Sequence, residues 1–531
     1  MAFRLKEDSI IGAVRHLARY GDTDIFPHLP ELTFFAEEEL GIVAELVKLD
    51  LDTYTPAGAM EALAPKGKYS FRVAHQLPAL DTLLLLASTI ELGEAIESRR
   101  QPLSSGRAFS YRYKVDLQAG TIFASDRTYK DWLHRQQKLI EEHKTIKQVV
   151  STDISDFYAR INFHRLENLL DEAASGAGAA RFIKKHVRVI RAKQSFGLPV
   201  GGSAARLLAE LSLVDTDQAL KDKKFVATRF VDDFRIFLKS GQSAHDALAH
   251  LAEQLGINEG LSLNAAKTLV TSRRDYLQRL ERLTTDVEEE AEGVAIDALT
   301  SSIYFDDEPD EDEVNALKGV NLLELLDKEI NAEVQDVGRI KVMFRALKIV
   351  KTADAIDYIK DNFDKLVLFS KDLCLLMEAL DAEYTGRFNV LGGKILAATQ
   401  APPAASVQAV RTWLLELFVR GVVRLPAGGV AQLEALPAIS DKRQLLFIRG
   451  RLDDKNYFRR QKTQVDHFSE SERSALVWGA ACLPKDEYEN WIEIVKGSFA
   501  RPLGLMYLRW ASKNRKSLSA KLKAKTIDHA E

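Results

Sequence analysis

At 531 residues, 46% hydrophobic and 28% charged, the chain is long enough to bury several cores, about three domains at roughly 100–200 residues each. A formal net charge of −4 gives no whole-chain attraction to nucleic acid, so any such binding must come from local basic patches. The two cysteines, Cys374 and Cys482, form no C-x-x-C pair, which argues against a disulfide framework and a structural zinc site.

The opening "MAFRLKEDSIIGAV" is charged early and its apolar run is interrupted, so no secretory leader is expected and a reducing, cytoplasmic setting is. From about Asp8 to Ile96 apolar residues recur at helical spacing, broken by the loop "YGDTDIFPHLPEL". Its most apolar part, "LPALDTLLLLASTIELGEAI", contains Asp81 and Glu91 and reads as a buried helix, not a membrane span.

From about Arg107 to Arg274 strand-like and helical runs alternate, as in an α/β or α+β domain. In "SSGRAFSYRYKVD", Arg112 and Lys114 alternate as on a strand with one basic face, with Arg107 just before. In "KQVVSTDISDFYARINFHRLENLL", Val149 and Val150 lead into Asp153 at a strand end, where an α/β sheet presents a ligand. In "ARFIKKHVRVIRAK", Arg181, Lys184, Arg188 and Arg191 share one helix face opposite Ile183, Val187 and Ile190; that face either tracks phosphates or is merely solvated. In "SFGLPVGGSAARLL", Gly197, Gly201 and Gly202 flank Pro199 at a loop-to-helix junction, letting backbone approach a flat ligand.

The run "KKFVATRFVDDFRIFLKS" sets Asp232 and Asp233 between two short strands, where like charges repel. Either the pair is a solvated turn or, with Asp153, it holds cations, because three converging carboxylates cannot stay buried and ionised alone. Downstream, "GLSLNAAKTLV" supplies Lys267, a cation placed to meet polyphosphate. The Asp/Glu-rich stretch 276–313 reads as a solvated linker or a flap. From 314 to 531 the pattern is helical, an α-solenoid of HEAT type or one irregular bundle, ending in a basic tail.

Taken together, "DISDFY", "GLPVGG", "FVDD" and "LNAAKT" resemble, in order and spacing, the palm motifs of the reverse transcriptase family over roughly Arg107 to Thr271. The resemblance implies an α+β fold with right-hand fingers and palm at 101–275, after a helical N-terminal region at 1–100 and before an all-α C-terminal domain. It implies two Mg²⁺ ions, or Mn²⁺, on Asp153, Asp232, Asp233 and the Ile154 carbonyl. Tyr158 would be the steric gate that selects dNTPs, Lys267 a general acid or charge stabiliser, and Arg107 and Arg112 contacts to the triphosphate. Val200 stands where many template-copying members carry Gln, which puts the templating contact in doubt. "YGDTDIFP" and the long helical C-terminus are similar to abortive-infection and other defence-associated bacterial reverse transcriptases. That subgroup implies phage defence, DNA or RNA partners including a noncoding RNA, no membrane, homo-oligomers, and untemplated or protein-primed synthesis from Tyr457 or Tyr488. An RNA-directed RNA polymerase and a scaffold with a vestigial palm are the alternatives.

Overall fold

The computed structural model describes residues 2–190, 194–284, 317–333 and 335–523. Arg191, most of the acidic stretch and the end of the basic tail lie outside the described residues. The chain divides into two compact units, one of residues 1–16, 49–58 and 83–320, the other of 17–48, 59–82 and 321–531. The first hundred residues therefore contribute to both units and do not stand apart as one region.

In the chain, a hairpin of β1 (Met60–Gly67) and β2 (Ser70–Gln76) comes first, then a short pair, β3 (Tyr113–Asp116) and β4 (Thr121–Phe123). The main sheet follows, built from β5 (Ile146–Asp153), β6 (Val226–Phe230), β7 (Asp233–Lys239) and β8 (Leu269–Ser272), in the order β6-β7-β5-β8 and wholly antiparallel. The central strand β5 is β-branched and buried on both sides, with Val149 and Val150 both fully buried. Val149, Ile146 and Phe237 pack with Leu139, Ile140, Tyr276 and Leu280 in one core. Tyr276 and Leu280 sit on the helix Arg273–Thr284, so the start of the expected acidic linker instead packs into the core of the main sheet, its charges lying on the helix's other side.

Helices Phe163–Ala173, Gly178–Ile190, Ser203–Ser212 and Val214–Asp222 connect β5 to β6. The second unit is helical among its described residues, in 17–48 as well as beyond Leu322, apart from the hairpin Met60–Gln76. In it the helices Val337–Val350, Ser370–Glu383, Gln408–Val419, Ile439–Arg451 and Glu470–Ala480 each pack on the next in a row. The last two meet at glycines: a Cβ on Gly450 would come 2.6 Å from the Gly479 Cα. The apolar run 79–91 is a helix with Leu83, Leu84 and Leu86 buried, and no helix among the described residues is long and apolar enough to cross a membrane. Both cysteines are free and buried.

Candidate active site

The strands β6 and β7 are joined by a two-residue turn, Val231-Asp232, because Phe230 and Asp233 are paired in register. Asp153 ends β5 directly opposite Asp233. The Ile154 N–H donates to the Asp232 carbonyl at 3.2 Å, so Ile154, itself buried, runs beside the turn. Asn264 fixes Asp153 twice, its N–H donating to the Asp153 carbonyl at 2.7 Å and its amide to Oδ2 at 3.3 Å. Lys267 follows in a short 3₁₀ turn, with Nζ 2.9 Å from Asp153 Oδ2.

Charge is concentrated at this point. Burial pushes the Asp232 carboxyl up to about 7, and the neighbouring Asp153 charge pushes in the same direction. Burial opposes the Lys267 charge, but its hydrogen bond to Asp153 and the surrounding carboxylates more than offset this, and its pKa stands above the usual lysine value. Asp233 differs from its two neighbours: both its oxygens are engaged by the Arg235 guanidinium, one of them at 3.0 Å. Among the described residues no three His, Cys, Asp or Glu side chains form a metal cluster. The expected convergence of three carboxylates is thus two plus one, because Asp233 and Arg235 lie on the same face of β7, two residues apart.

The residues fit a divalent cation nonetheless. Asp153 and Asp232 present hard oxygen donors, the kind Mg²⁺ prefers, and a cation between them would relieve what burial and the Asp153 charge impose on an ionised Asp232.

The turn is held from below by a buried polar network. Val231 has φ 55°, a costly conformation for a β-branched residue. Its N–H donates to Ser110 Oγ at 2.7 Å and its carbonyl accepts from Arg229 at 2.9 Å. Ser110 Oγ donates to Glu210 at 2.6 Å, Glu210 also pairs with Arg100 and Arg229, and Arg229 pairs with Asp217 at 2.7 Å. Burial raises the Glu210 carboxyl, but the two arginines and Ser110 outweigh it and hold its pKa below the usual value. Phe230 and Val231 rest on Phe109, Trp132 and Tyr129.

Tyr158 follows the Asp153 turn and is half-buried, and its phenol is held well above its usual pKa by burial, with Tyr111 and Asp232 adding. The glycine loop is stitched to it: the Leu198 N–H donates to the Tyr158 carbonyl at 2.8 Å, and the Gly197 N–H to the Ile161 carbonyl at 2.9 Å. Gly197 and Gly201 have φ 99° and 105°, which only glycine adopts easily, and between them Pro199 is buried.

The basic residues lie otherwise than their spacing predicts. Arg112 precedes β3, after Tyr111 at φ 46° has broken the alternation. It is 2% exposed, pairs with Glu97 and donates to the Gln101 and Ala108 carbonyls, and burial pulls its pKa down to about 10. It is a structural arginine, turned away from solvent. Arg107 is half-buried and donates to the Phe225 carbonyl at 2.9 Å. On the helix Gly178–Ile190, Arg181 pairs with Asp52 at 3.3 Å, Lys184 with Asp171 at 2.5 Å and Arg188 with Glu167 at 2.6 Å, so these cations already have protein partners. Of the two tyrosines suggested for priming, Tyr488 is fully buried with its hydroxyl donating to the Val477 carbonyl at 3.0 Å, while Tyr457 is half-buried under the Arg449 guanidinium.

Sequence reasoning passed over Asn264, Ser110, Glu210 and Arg229. A signal existed for two of them: Arg229 touches the FVDD run, and Glu210 is a charge inside the apolar run "AARLLAELSL".

Residues 104–296 match the family model for reverse transcriptase (RNA-dependent DNA polymerase). No curated protein matches the chain. Among solved structures, the chain is similar to a telomerase from Candida albicans in complex with a TWJ fragment of telomeric RNA, at 14% identity over 68% of this chain and 67% of that one, with a TM-score of 0.31. It is similar also to an apo telomerase from Candida tropicalis, at 13% identity over 72% and 74% of the two chains, with a TM-score of 0.32. A form of the latter truncated from its C-terminal domain gives 12% identity over 45% of this chain and 55% of that one, with a TM-score of 0.31.

Proposed function

From the premise that the chain carries a reverse transcriptase domain, and is therefore a nucleotidyltransferase of the RNA-directed DNA polymerase kind, we propose that it adds dNTPs to a 3′-hydroxyl in a reaction dependent on Mg²⁺, with Mn²⁺ as a substitute. The observation that carries this reading is the approach of the Asp232 turn to the end of β5, where the Ile154 N–H donates to the Asp232 carbonyl and where burial, with the Asp153 charge adding, disfavours the ionised Asp232 carboxyl.

Asp153, Asp232 and the Ile154 carbonyl are the proposed ligands, with Asp233 alongside. When bound, the cations lower the pKa of an attacking hydroxyl and neutralise the triphosphate. The chain's own residues do the rest. Asn264 and Lys267 hold Asp153 in place, and Lys267 adds a positive charge where pyrophosphate departs. The Tyr158 ring fills the space a 2′-hydroxyl would need. The loop with Gly197, Pro199 and Gly201 lets backbone approach base and sugar, and Val200 relaxes the templating contact.

The finer assignments rest on the sequence resemblance: a cytoplasmic role in bacterial anti-phage defence, DNA or RNA partners including a noncoding RNA, and homo-oligomers. The serial row of helices in the second unit supports reading it as HEAT-like. For self-priming, Tyr457 is the proposed hydroxyl, since Tyr488 is enclosed.

The test incubates purified protein with Mg²⁺ and each labelled dNTP or rNTP, without template, and treats the products with protease and RNase. Incorporation of dNTPs into protease-sensitive material supports self-priming. Incorporation only with added primer and RNA template supports conventional reverse transcription, and none under any condition overturns the reading.

A further inference from the structure

The helical unit holds a cleft whose lining includes none of the residues of the carboxylate site. Its walls are the β1–β2 hairpin, the Asp24–Ile25 loop and the helices Val337–Val350, Ser370–Glu383 and Gln408–Val419. The floor is apolar and well fixed: Ile25, Phe369, Val410 and Trp413 are buried, and the Trp413 indole N–H donates to the Ile25 carbonyl at 2.7 Å. The lining carries four cations, Lys66, Arg72, Lys341 and Lys371, against two carboxylates, Asp24 and Asp372.

Those cations are not all committed to the fold. Lys371 donates to the Asp24 carbonyl at 2.6 Å, but the side chains of Arg72 and Lys341 make no hydrogen bond or ion pair among the described residues. Arg72 Nε is buried without a protein acceptor. The position is an unexpected one for arginine. Arg72 pairs in register with Ala64, beside the small, buried pair Ala62 and Ala74 on the same strand face. A half-buried guanidinium left without an acceptor costs stability, and an anion in the cleft would satisfy it.

We propose that this cleft binds a nucleoside phosphate, free or as a unit of a nucleic-acid strand, with the phosphate on Arg72 and Lys341 and the base or sugar on the apolar floor. A bare inorganic anion would use the rim and leave the floor empty. An extended acidic peptide would use the rim but gain nothing from the aromatic floor. Sugar and base supply the apolar surface that the floor matches.

The experiment measures binding to the full chain, freed of nucleic acid and kept in EDTA so that metal-dependent binding at the carboxylates is absent. The probes are a labelled 20-mer of deoxythymidine and a labelled dATP, read by fluorescence anisotropy. In Arg72→Gln/Lys341→Gln, with thermal stability retained, affinity for at least one probe should fall about tenfold or more, roughly 0.7 kcal/mol or more per lost phosphate contact on that scale. Loss confined to the oligonucleotide identifies a strand, and the slope of log affinity against log salt should then fall by about 1. Loss confined to dATP identifies the free nucleotide. Lys341→Glu, a single change on a half-buried helix position, repeats the test should the double variant fold poorly, and should itself weaken binding of the same probe. Unchanged affinity for both probes in a folded variant overturns the proposal, as does displacement of the oligonucleotide by poly-glutamate at equal charge concentration. Because no catalysis is read, this outcome stands apart from whether Asp153 and Asp232 hold metal.

Discussion

Asp232 sits at the tip of a two-residue turn and, among the described residues, feels Lys267 only at a distance, whereas Asp233 is paired with Arg235 and Asp153 with Lys267. The three carboxylates are therefore unequal. Asp232→Asn removes a charge without changing shape, and nucleotide incorporation should fall by about 10²–10³-fold or more, as when a single charge-stabilising group is lost. A steady-state assay with circular dichroism as the folding control decides it, and near-normal incorporation would sink the metal site. Tyr158→Ala opens the space beside the sugar, so discrimination between dATP and ATP should fall by about 10–200-fold, the range for one steric contact. Unchanged sugar selectivity would remove the gate.

These residues were legible because spacing along the chain carried them. The partners of Arg112, Arg181, Lys184 and Arg188 were not legible, because alternation shows where a cation points but not which carboxylate another segment brings to meet it. Glu31 was invisible for the same reason. Burial pushes its carboxyl from 4.5 up to about 7, only partly relieved by the Ser474 hydroxyl. The folded state thus keeps a proton that the unfolded chain releases. Stability is fully present below pH 4.5, falls as pH rises to about 7, and is level above, by at most about 3 kcal/mol. Glu31→Gln should remove that slope. Its urea midpoint should exceed the wild-type one at pH 8 and match it near pH 4.5, and an equal difference at both pH values would refute the assignment.

At the scale of elements, the hairpin β6–β7 is defined less by its own residues than by what lies beneath it. A valine at φ 55° is unfavourable in isolation, and turn chemistry would place glycine there. It persists because Ser110 and Arg229 hold its N–H and carbonyl while Glu210 and Asp217 neutralise Arg229. The hairpin was legible from the FVDD run; its support was not, since Ser110, Glu210 and Arg229 come from three separate segments. Glu210→Gln keeps the shape but leaves Arg100 and Arg229 without their shared carboxylate. The loss should be about 3–5 kcal/mol of stability, as for one partner removed from a buried pair. Incorporation measured below the unfolding transition should fall mainly in kcat, because Asp232 is misplaced while the nucleotide pocket is kept. A variant as stable and active as wild type would show the network to be incidental.

At the scale of the whole molecule, the order of the sequence and the order of the fold diverge. Texture along the chain suggests a polymerase domain ending near 275 and a helical domain beginning near 314, which invites cutting between them. The helical unit, however, takes 17–48 and 59–82 from the N-terminal part. Phe34 packs within it edge-to-face on Tyr507 and tilted against Trp510, with ring centroids 5.4 and 5.5 Å away. Gln76 accepts from Arg443 at 2.8 Å and donates to Asp22 at 2.8 Å, and the fully buried Asp81 pairs with Arg501 at 3.0 Å. A fragment 1–316 would expose Phe34 and Phe35 and leave Asp81 without its arginine, each a cost of several kcal/mol against the 5–15 kcal/mol that keeps a domain folded. A fragment 317–531 would lose the same partners from the other side. Expressed singly, both should be insoluble or lack fixed near-ultraviolet dichroism. Expressed together, they can restore every one of these contacts without a covalent link, so co-purification and recovered dNTP incorporation are expected from the pair. A soluble, active 1–316 made alone would show that the N-terminal segments do not need the helical unit, and would return the domain boundary to where the sequence texture puts it.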